Sequence, residues 1–102
     1  DRGGRLMRRA AKVDRNQSEI VDALRKAGAT VTPLHAVGKG CPDLLVGWRG
    51  DNFLMEVKDG DLPPSARKLT PDQQTYHALW GGQIVIVTSV EEALNALGVT
   101  TA

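Results

Sequence analysis

The sequence is short of the residues that build several classes of protein. It contains a single cysteine among 102 residues, so no disulfide can form within the chain and a small secreted disulfide scaffold is excluded. No apolar run approaches the roughly 20 residues that span a bilayer, and no signal-peptide core follows the basic N-terminal stretch. We therefore expect a soluble, cytoplasmic protein with no membrane partner.

Several common site motifs are also missing. One cysteine and two histidines give no cluster with the spacing of a zinc site. The loop Gly38-Lys39-Gly40 is not a Walker A motif, because the sequence has no Gly-x-x-x-x-Gly-Lys-(Ser/Thr). Aromatic residues make up only 4% of the chain. What remains, at 41% hydrophobic and 25% charged residues, is typical of one globular domain.

Charge is distributed unevenly along the chain, although its formal net value is only +1. The first fifteen residues carry six basic side chains against two acidic ones, and the rest of the chain is acidic. We divide the chain into a basic arm, 1–15, and a globular domain, 16–102, and leave open whether residues 1–6 are native. Such an arm binds phosphates or is simply a solvated terminus. Its candidate DNA contacts are Arg8, Arg9, Lys12 and Arg15.

Local patterns predict the first half of the fold as one helix and three strands. Asn16 followed by Glu19 has the spacing of a capping box that opens the first helix. Strands are expected over 29–36, 43–49 and 53–58, the first of them at a sheet edge because Pro33 lacks an amide donor.

The second half of the chain is predicted to add a helix, a strand and a last helix. Thr70-Pro71-Asp72-Gln73 has the pattern of a helix start that ends near Trp80. The apolar run within 83–88 suits a strand that is covered on both faces, and a helix follows over 90–97. This order predicts an α/β fold with a mixed sheet of about four strands and helices on both faces.

Three charged residues converge on the hairpin that the second and third strands form. A turn at 50–52 is so short that these strands must be antiparallel neighbours, which places Asp43 opposite the end of the third strand. Glu56 and Lys58 share one face of that strand, because side chains alternate. Two carboxylates and a lysine suit phosphodiester hydrolysis with Mg²⁺, since a cation or substrate must balance them. The same spacing is also explained by a surface salt bridge between Glu56 and Lys58, without any catalytic role.

Four segments, in this order, carry a resemblance to a nuclease family. They are GKGCPDLL at 38–45, FLMEVK at 53–58, LTPDQ at 69–73 and GQIVIV at 82–87. From residue 17 to about residue 94 the chain resembles the virus-type replication-repair nuclease (VRR-NUC) family of the PD-(D/E)xK superfamily. The resemblance implies a restriction-endonuclease-like core.

Carried over residue by residue, the resemblance also implies a metal centre. Asp43 and Glu56 would bind a divalent metal, Mg²⁺ with Mn²⁺ as a substitute, and Lys58 would be the catalytic lysine. The backbone carbonyl of Val57 would complete the metal shell. Glu19 matches a carboxylate that related nucleases carry near the metal, and Gln73 matches the family's helix glutamine. Glu19 and Gln73 are equally explained as the closing residues of capping boxes.

Two further residues are candidates for contact with DNA. Lys39 stands between two glycines just before Pro42-Asp43, where its ammonium would reach a phosphate. His77 lies one helical turn after Gln73 and on the same face. There it would touch DNA or the attacking water, or would simply pack.

The resemblance implies a metal-dependent endonuclease that cuts branched DNA, with Holliday junctions as the expected substrate. It also implies a homodimer with a role in DNA repair, in a bacterial cell or a phage-infected host. Two alternatives stay open: a flap-directed, end-directed or nicking nuclease with the same site, and a catalytically silent DNA-binding module of the same fold. The sequence leaves the number of metal ions per site and any sequence preference open as well.

Overall fold

A computed structural model of the chain describes residues 13–99, which form one sheet with helices on both sides. The helices are α1 (Gln17–Lys26), α2 (Pro71–Leu79) and α3 (Val90–Ala96), with a 3-10 turn at Pro64–Arg67. The strands are β1 (Thr30–Pro33), β2 (Leu44–Trp48), β3 (Asp51–Val57) and β4 (Ile84–Val87). Among these residues, no helix is long and apolar enough to cross a membrane.

The sheet has the strand order β1-β2-β3-β4, and it is mixed. β1 pairs with β2 and β2 with β3 in antiparallel fashion, whereas β3 and β4 are parallel. This confirms the predicted α/β class, the four-stranded mixed sheet and the edge position of the strand that contains Pro33. The hairpin turn predicted at 50–52 lies instead at Arg49-Gly50, because both residues have positive φ and the register pairs Trp48 with Asp51.

The hydrophobic core lies between one face of the sheet and the two helices α1 and α3. These helices contact each other, and the apolar stripe of α1 is fully or almost fully buried. The residues that form this core from the helices and the two central strands are Ile20, Val21, Leu24, Leu44, Val46, Phe53, Met55, Val57, Ala93 and Leu97. The packing fixes the orientation of the β2–β3 hairpin, whose other face carries Glu56.

Asn16 precedes α1, but it does not form the predicted capping box. Its side chain accepts no hydrogen bond from the first turn of the helix. Instead, its Nδ2 donates to the carbonyl oxygens of Lys58 at 3.2 Å and Thr88 at 3.1 Å. Those two carbonyls follow the ends of the parallel strands β3 and β4, so Asn16 ties both strand ends to the start of α1.

The strand that is buried on both faces is β3, and the prediction that β4 would be so covered is wrong. β4 lies at an edge of the sheet, and Ile86 keeps 48% of its surface exposed. A short apolar run does not reveal its place in a sheet, which is set by pairings with distant strands. On this second face Gln73 of α2 contacts Glu56, whereas Leu45 and Ile86 stay exposed.

Candidate active site

The β2–β3 hairpin brings the two carboxylates of the site together. The register pairs Leu44 with Met55, so that Asp43, one residue before β2, lies opposite Glu56. Oδ2 of Asp43 accepts a hydrogen bond of 2.7 Å from the backbone N–H of Val57, which orients the carboxylate toward β3. Both side chains are buried, with Asp43 8% and Glu56 2% exposed. Side-chain alternation and one tight turn therefore suffice to build this acidic pair.

Burial and the neighbouring carboxylate make Glu56 a weak acid. Loss of solvation and the charge and hydrogen bonding of Asp43 raise the pKa of Glu56 to about 8, while Lys58 acts in the opposite direction. Asp14, which sequence reasoning did not single out, adds a further negative charge and lines the same cleft. The acidic pair therefore holds a proton near pH 7 unless a cation replaces it.

Gln73 joins the lysine to the acidic pair. Its Oε1 accepts hydrogen bonds from Lys58 Nζ at 2.8 Å and from the backbone N–H of Thr70 at 2.9 Å. Its Nε2 donates to Glu56 Oε2 at 3.1 Å. The orientation of the amide is fixed by this network, because Lys58 and the N–H of Thr70 are both donors and Glu56 supplies an acceptor. One side chain thus positions both Lys58 and Glu56.

The predicted capping box at the start of α2 places Gln73 there. Oγ1 of Thr70 accepts from the backbone N–H of Gln73, and Gln73 Oε1 accepts from that of Thr70. The two interpretations of Gln73, as a cap and as a site residue, are therefore compatible, since one amide oxygen serves both contacts.

His77 lies beside Glu56 without forming an ion pair at neutral pH. Its Nε2 is 3.6 Å from Glu56 Oε1, beyond hydrogen-bond distance, and neither atom has another partner. Burial, and then the positive charge of Lys58, lower the pKa of His77, so the imidazole is neutral at pH 7. An unpartnered imidazole nitrogen and an unpartnered carboxylate oxygen therefore face the same small space.

The donor set fits a hard divalent cation. Within residues 13–99, no group of three or more histidine, cysteine, aspartate and glutamate side chains is arranged to hold a metal. Mg²⁺, however, commonly uses one or two carboxylates and keeps water or phosphate oxygens in its other positions. The buried Glu56 Oε1 has no hydrogen-bond partner. A bound cation would supply the partner that this oxygen lacks.

A cleft of about 400 Å³ contains the acidic pair and is lined by both basic and acidic side chains. Lys39 and Lys68 line it together with Lys58, and Lys68 is a residue that sequence reasoning missed. Lysines beside a buried acidic pair suit a phosphodiester, since the lysines would meet phosphate oxygens while the carboxylates hold a cation.

The loop before Asp43 is held against α2 by a close backbone contact. Three consecutive residues, Gly38, Lys39 and Gly40, have positive φ angles of 78°, 57° and 81°. A Cβ atom on Gly40 would lie 2.3 Å from the carbonyl oxygen of Asp72, whereas one on Gly38 would meet nothing within 4 Å. Gly40 therefore allows the loop to approach the first turn of α2.

Gly40→Ala is expected to lower the free energy of unfolding by about 2–4 kcal/mol, because a positive φ and a backbone clash add together. Gly38→Ala is the matched control, and its loss should be only about 1 kcal/mol, the cost of the left-handed backbone alone. Urea unfolding of both variants measures the difference. Equal losses would show that the contact between Gly40 and Asp72 does not hold the loop.

The structure does not bring every predicted site residue to this cleft. Glu19 lines a neighbouring cavity of about 270 Å³ that also contains Asp59 and Asp61. Arg15 pairs with those same two aspartates at 2.6 Å, and the hydrogen bond and charge of Asp59 raise the pKa of Arg15 further. Arg8, Arg9 and Lys12, the other predicted arm contacts, lie outside the described residues.

Comparison with known proteins identifies one likeness that covers most of the chain. No protein-family model and no curated protein matches the sequence. A solved structure described as a VRR_NUC domain superposes with a TM-score of 0.62 at 28% sequence identity. The match covers 82% of this chain and 91% of that one, and it supports a nuclease-type domain. The chain therefore has a VRR_NUC-like fold with a restriction-endonuclease-like core.

Proposed function

We propose that this chain is a metal-dependent, structure-selective DNA endonuclease that hydrolyses phosphodiester bonds. The observation that carries the proposal is the buried pair of Asp43 and Glu56, joined to Lys58 through Gln73 in a cleft that two further lysines line. A pair of buried carboxylates is unfavourable in a purely structural role, because ionisation loses solvation and brings two negative charges together. A cation-binding role removes that penalty.

Asp43, Glu56 and the carbonyl oxygen of Val57 are the groups that would hold the metal. A divalent cation supplies two kinds of chemistry at such a site: it lowers the pKa of water, and it neutralises charge that develops on phosphate. Lys58 is oriented toward Gln73 and lines the cleft, where its ammonium donates to a non-bridging phosphate oxygen or orients the attacking water. Lys39 and Lys68 would hold neighbouring phosphates without reading base sequence.

The proposed substrate is branched DNA, with Holliday junctions first, cut by a homodimer of this chain. A two-fold dimer would present two equivalent sites to a junction that has the same symmetry. Support for a self-association surface comes from the open face of the sheet, where Leu45 and Ile86 are 39% and 48% exposed. Action on DNA would place the protein in the cytoplasm, and repair is the process that such cleavage would serve.

Cleavage of a panel of labelled DNAs tests this proposal. The panel contains a four-way junction, a flap, a nicked duplex, a linear duplex and a single strand, each with Mg²⁺, with Mn²⁺ and with chelator. Paired, symmetric cuts on the junction that disappear with chelator are the expected result. Metal-dependent cuts confined to flaps, ends or nicks would support the nuclease activity but would contradict the four-way junction as its substrate. Intact DNA with retained binding would instead identify a silent DNA-binding module.

Gln73→Ala is expected to reduce cleavage by roughly 10- to 100-fold, because Lys58 and Glu56 lose the side chain that positions them. Thr70→Ala is the matched control, since it removes the other half of the same capping box and leaves the amide of Gln73 in place. It should lower stability by about 1 kcal/mol and retain most of the activity. Single-turnover cleavage rates of both variants separate positioning from capping, and equal rates would contradict the positioning role.

A further inference from the structure

A second cavity, of about 460 Å³, lies beside the candidate active site. It is lined by Lys39, Asp72, Thr75, Tyr76, Leu79 and Trp80. Lys39 and Asp72 line both this cavity and the cleft that contains Glu56, so the two spaces are adjacent and share that wall. We call this second space the aromatic cavity.

Two aromatic rings form one side of the aromatic cavity. The rings of Tyr76 and Trp80 stack with centroids 5.7 Å apart and planes inclined by 17°. Trp80 is 44% exposed and Leu79 is 79% exposed, so these side chains are not part of the core. In a chain with so few aromatic residues, a stacked and partly exposed pair next to the cleft is a surface for another flat group.

Neighbouring backbone and side-chain groups hold both rings in place. A Cβ atom on Gly82 would lie 2.9 Å from Nε1 of Trp80, so the indole lies directly against that glycine. Burial, and then an interaction with the thiol of Cys41, raise the pKa of Tyr76, which places the phenol next to the loop before Asp43. Both rings are therefore packed against neighbouring groups of the fold.

Lys39 supplies a positive charge where the aromatic cavity meets the cleft. Its φ of 57° is in the left-handed region, which a residue with a side chain rarely adopts. The contact of Gly40 with the backbone of Asp72 keeps the loop there. Strained backbone that is retained next to a cleft is typical of a ligand contact.

We propose that the aromatic cavity binds one unpaired nucleobase of the DNA substrate, stacked on Trp80, with the adjoining phosphate on Lys39. This inference rests on the proposed endonuclease function and adds a feature of its substrate, an unstacked nucleotide next to the scissile phosphate. A base held within a duplex cannot reach the rings, whereas a base at a branch point can. Asp72, the acidic group in the wall, accepts a hydrogen bond from a ring or exocyclic N–H group on the edge of the base.

The charges in the wall favour a nucleotide over an apolar protein segment. A purely apolar occupant would leave Lys39 and Asp72 without partners at its edge. A nucleotide has a flat apolar surface, hydrogen-bonding edges and a phosphate, and the aromatic cavity offers a counterpart for each. Stacking on an aromatic ring is also tolerant of base identity, so it would select DNA structure and not sequence.

The test uses Trp80 as its own reporter. In a Trp48→Phe background, Trp80 is the one remaining tryptophan, and its emission is followed in chelator so that no cleavage occurs. The probes are a twelve-nucleotide single strand of thymidines and its duplex with the complementary strand. Saturable quenching by the single strand is expected, with much weaker quenching by the duplex. The Trp80 variants lose this reporter, so their affinity is measured from the anisotropy of a dye-labelled strand. Trp80→Ala should weaken single-strand binding by roughly tenfold, and Trp80→Phe should restore most of it.

The other possible results of this test would each contradict the nucleobase site or the endonuclease proposal. Equal single-strand affinity for Trp80→Ala and the parent, or no quenching, would overturn the nucleobase site even if metal-dependent cleavage is observed. Emission that depends on protein concentration and not on DNA would show that a second copy covers the aromatic cavity, which also overturns the site. Quenching without cleavage under any metal condition would overturn the endonuclease proposal and retain a nucleobase-binding module.

Discussion

Glu56→Gln is expected to reduce DNA cleavage by about 1,000-fold or more, the largest effect of any single substitution in this chain. The replacement keeps the shape of the side chain, and its amide oxygen still accepts from Nε2 of Gln73. It removes the negative charge that, with Asp43, would hold a cation. Affinity for DNA should be unchanged or higher, because a carboxylate is removed from the floor of a phosphate-binding cleft.

Single-turnover rates on the preferred DNA measure the effect, with affinity measured separately in chelator. Glu91→Gln is the matched control, because it makes the same chemical change at an exposed position on α3, away from the cleft. Cleavage by Glu56→Gln within a few-fold of the parent would contradict the assignment of this carboxylate to the metal site.

The metal-free protein is expected to lose several kcal/mol of stability as the pH rises from about 5 to about 8. Glu56 has a folded pKa of about 8 and an ordinary value of 4.5. Between those values the folded state keeps a proton that the unfolded state has released, so the free energy of unfolding falls with increasing pH. Each pH unit between those two values is worth about 1.4 kcal/mol.

The slope should be measured between pH 6.5 and 9, because His77 acts in the opposite direction at lower pH. Its lowered pKa means that the unfolded state binds its proton more readily, which makes stability rise with pH up to about 6.5. Thermal unfolding in chelator across this range gives the slope, and a loss of 1 kcal/mol corresponds to roughly 4–8 °C in a domain of this size.

Glu56→Gln supplies the control for the pH effect, since an amide does not titrate and the slope should disappear. Adding Mg²⁺ at pH 9 should raise the unfolding temperature of the parent and leave that of the variant unchanged, because the cation binds the ionised pair. A parent protein whose stability is flat from pH 6.5 to 9 would show that Glu56 is not held protonated in the fold.

The parts of the site that sequence alone predicts are those built from local geometry. Alternation along β3 and the tight hairpin turn place Asp43 against Glu56, and both features follow from the sequence near them. The capping box of Thr70 and Gln73 is likewise local, although its second contact, to Lys58, comes from another part of the chain.

The predictions that failed depend on partners far away in the sequence. Asn16 has the spacing of a capping residue, yet its amide bonds to carbonyls 42 and 72 residues further along the chain. The apolar run of β4 has the composition of a covered strand, yet the strand order leaves it at an edge. The stacking of Tyr76 on Trp80 is compatible with helical spacing, but its place beside the cleft follows from the approach of the Gly40 loop.

The position of the acidic pair in the chain bears on how the domain folds. Asp43 and Glu56 belong to adjacent strands joined by a two-residue turn, so their approach needs only a short loop to close. The packing of α1 on α3 joins the two ends of the described chain and has a high contact order. Because a short loop closes at a lower entropic cost than a long one, we expect the repulsive approach of the carboxylates to form before the chain ends meet. A cation that binds the hairpin would offset the repulsion between Asp43 and Glu56 before the helices α1 and α3 have packed together.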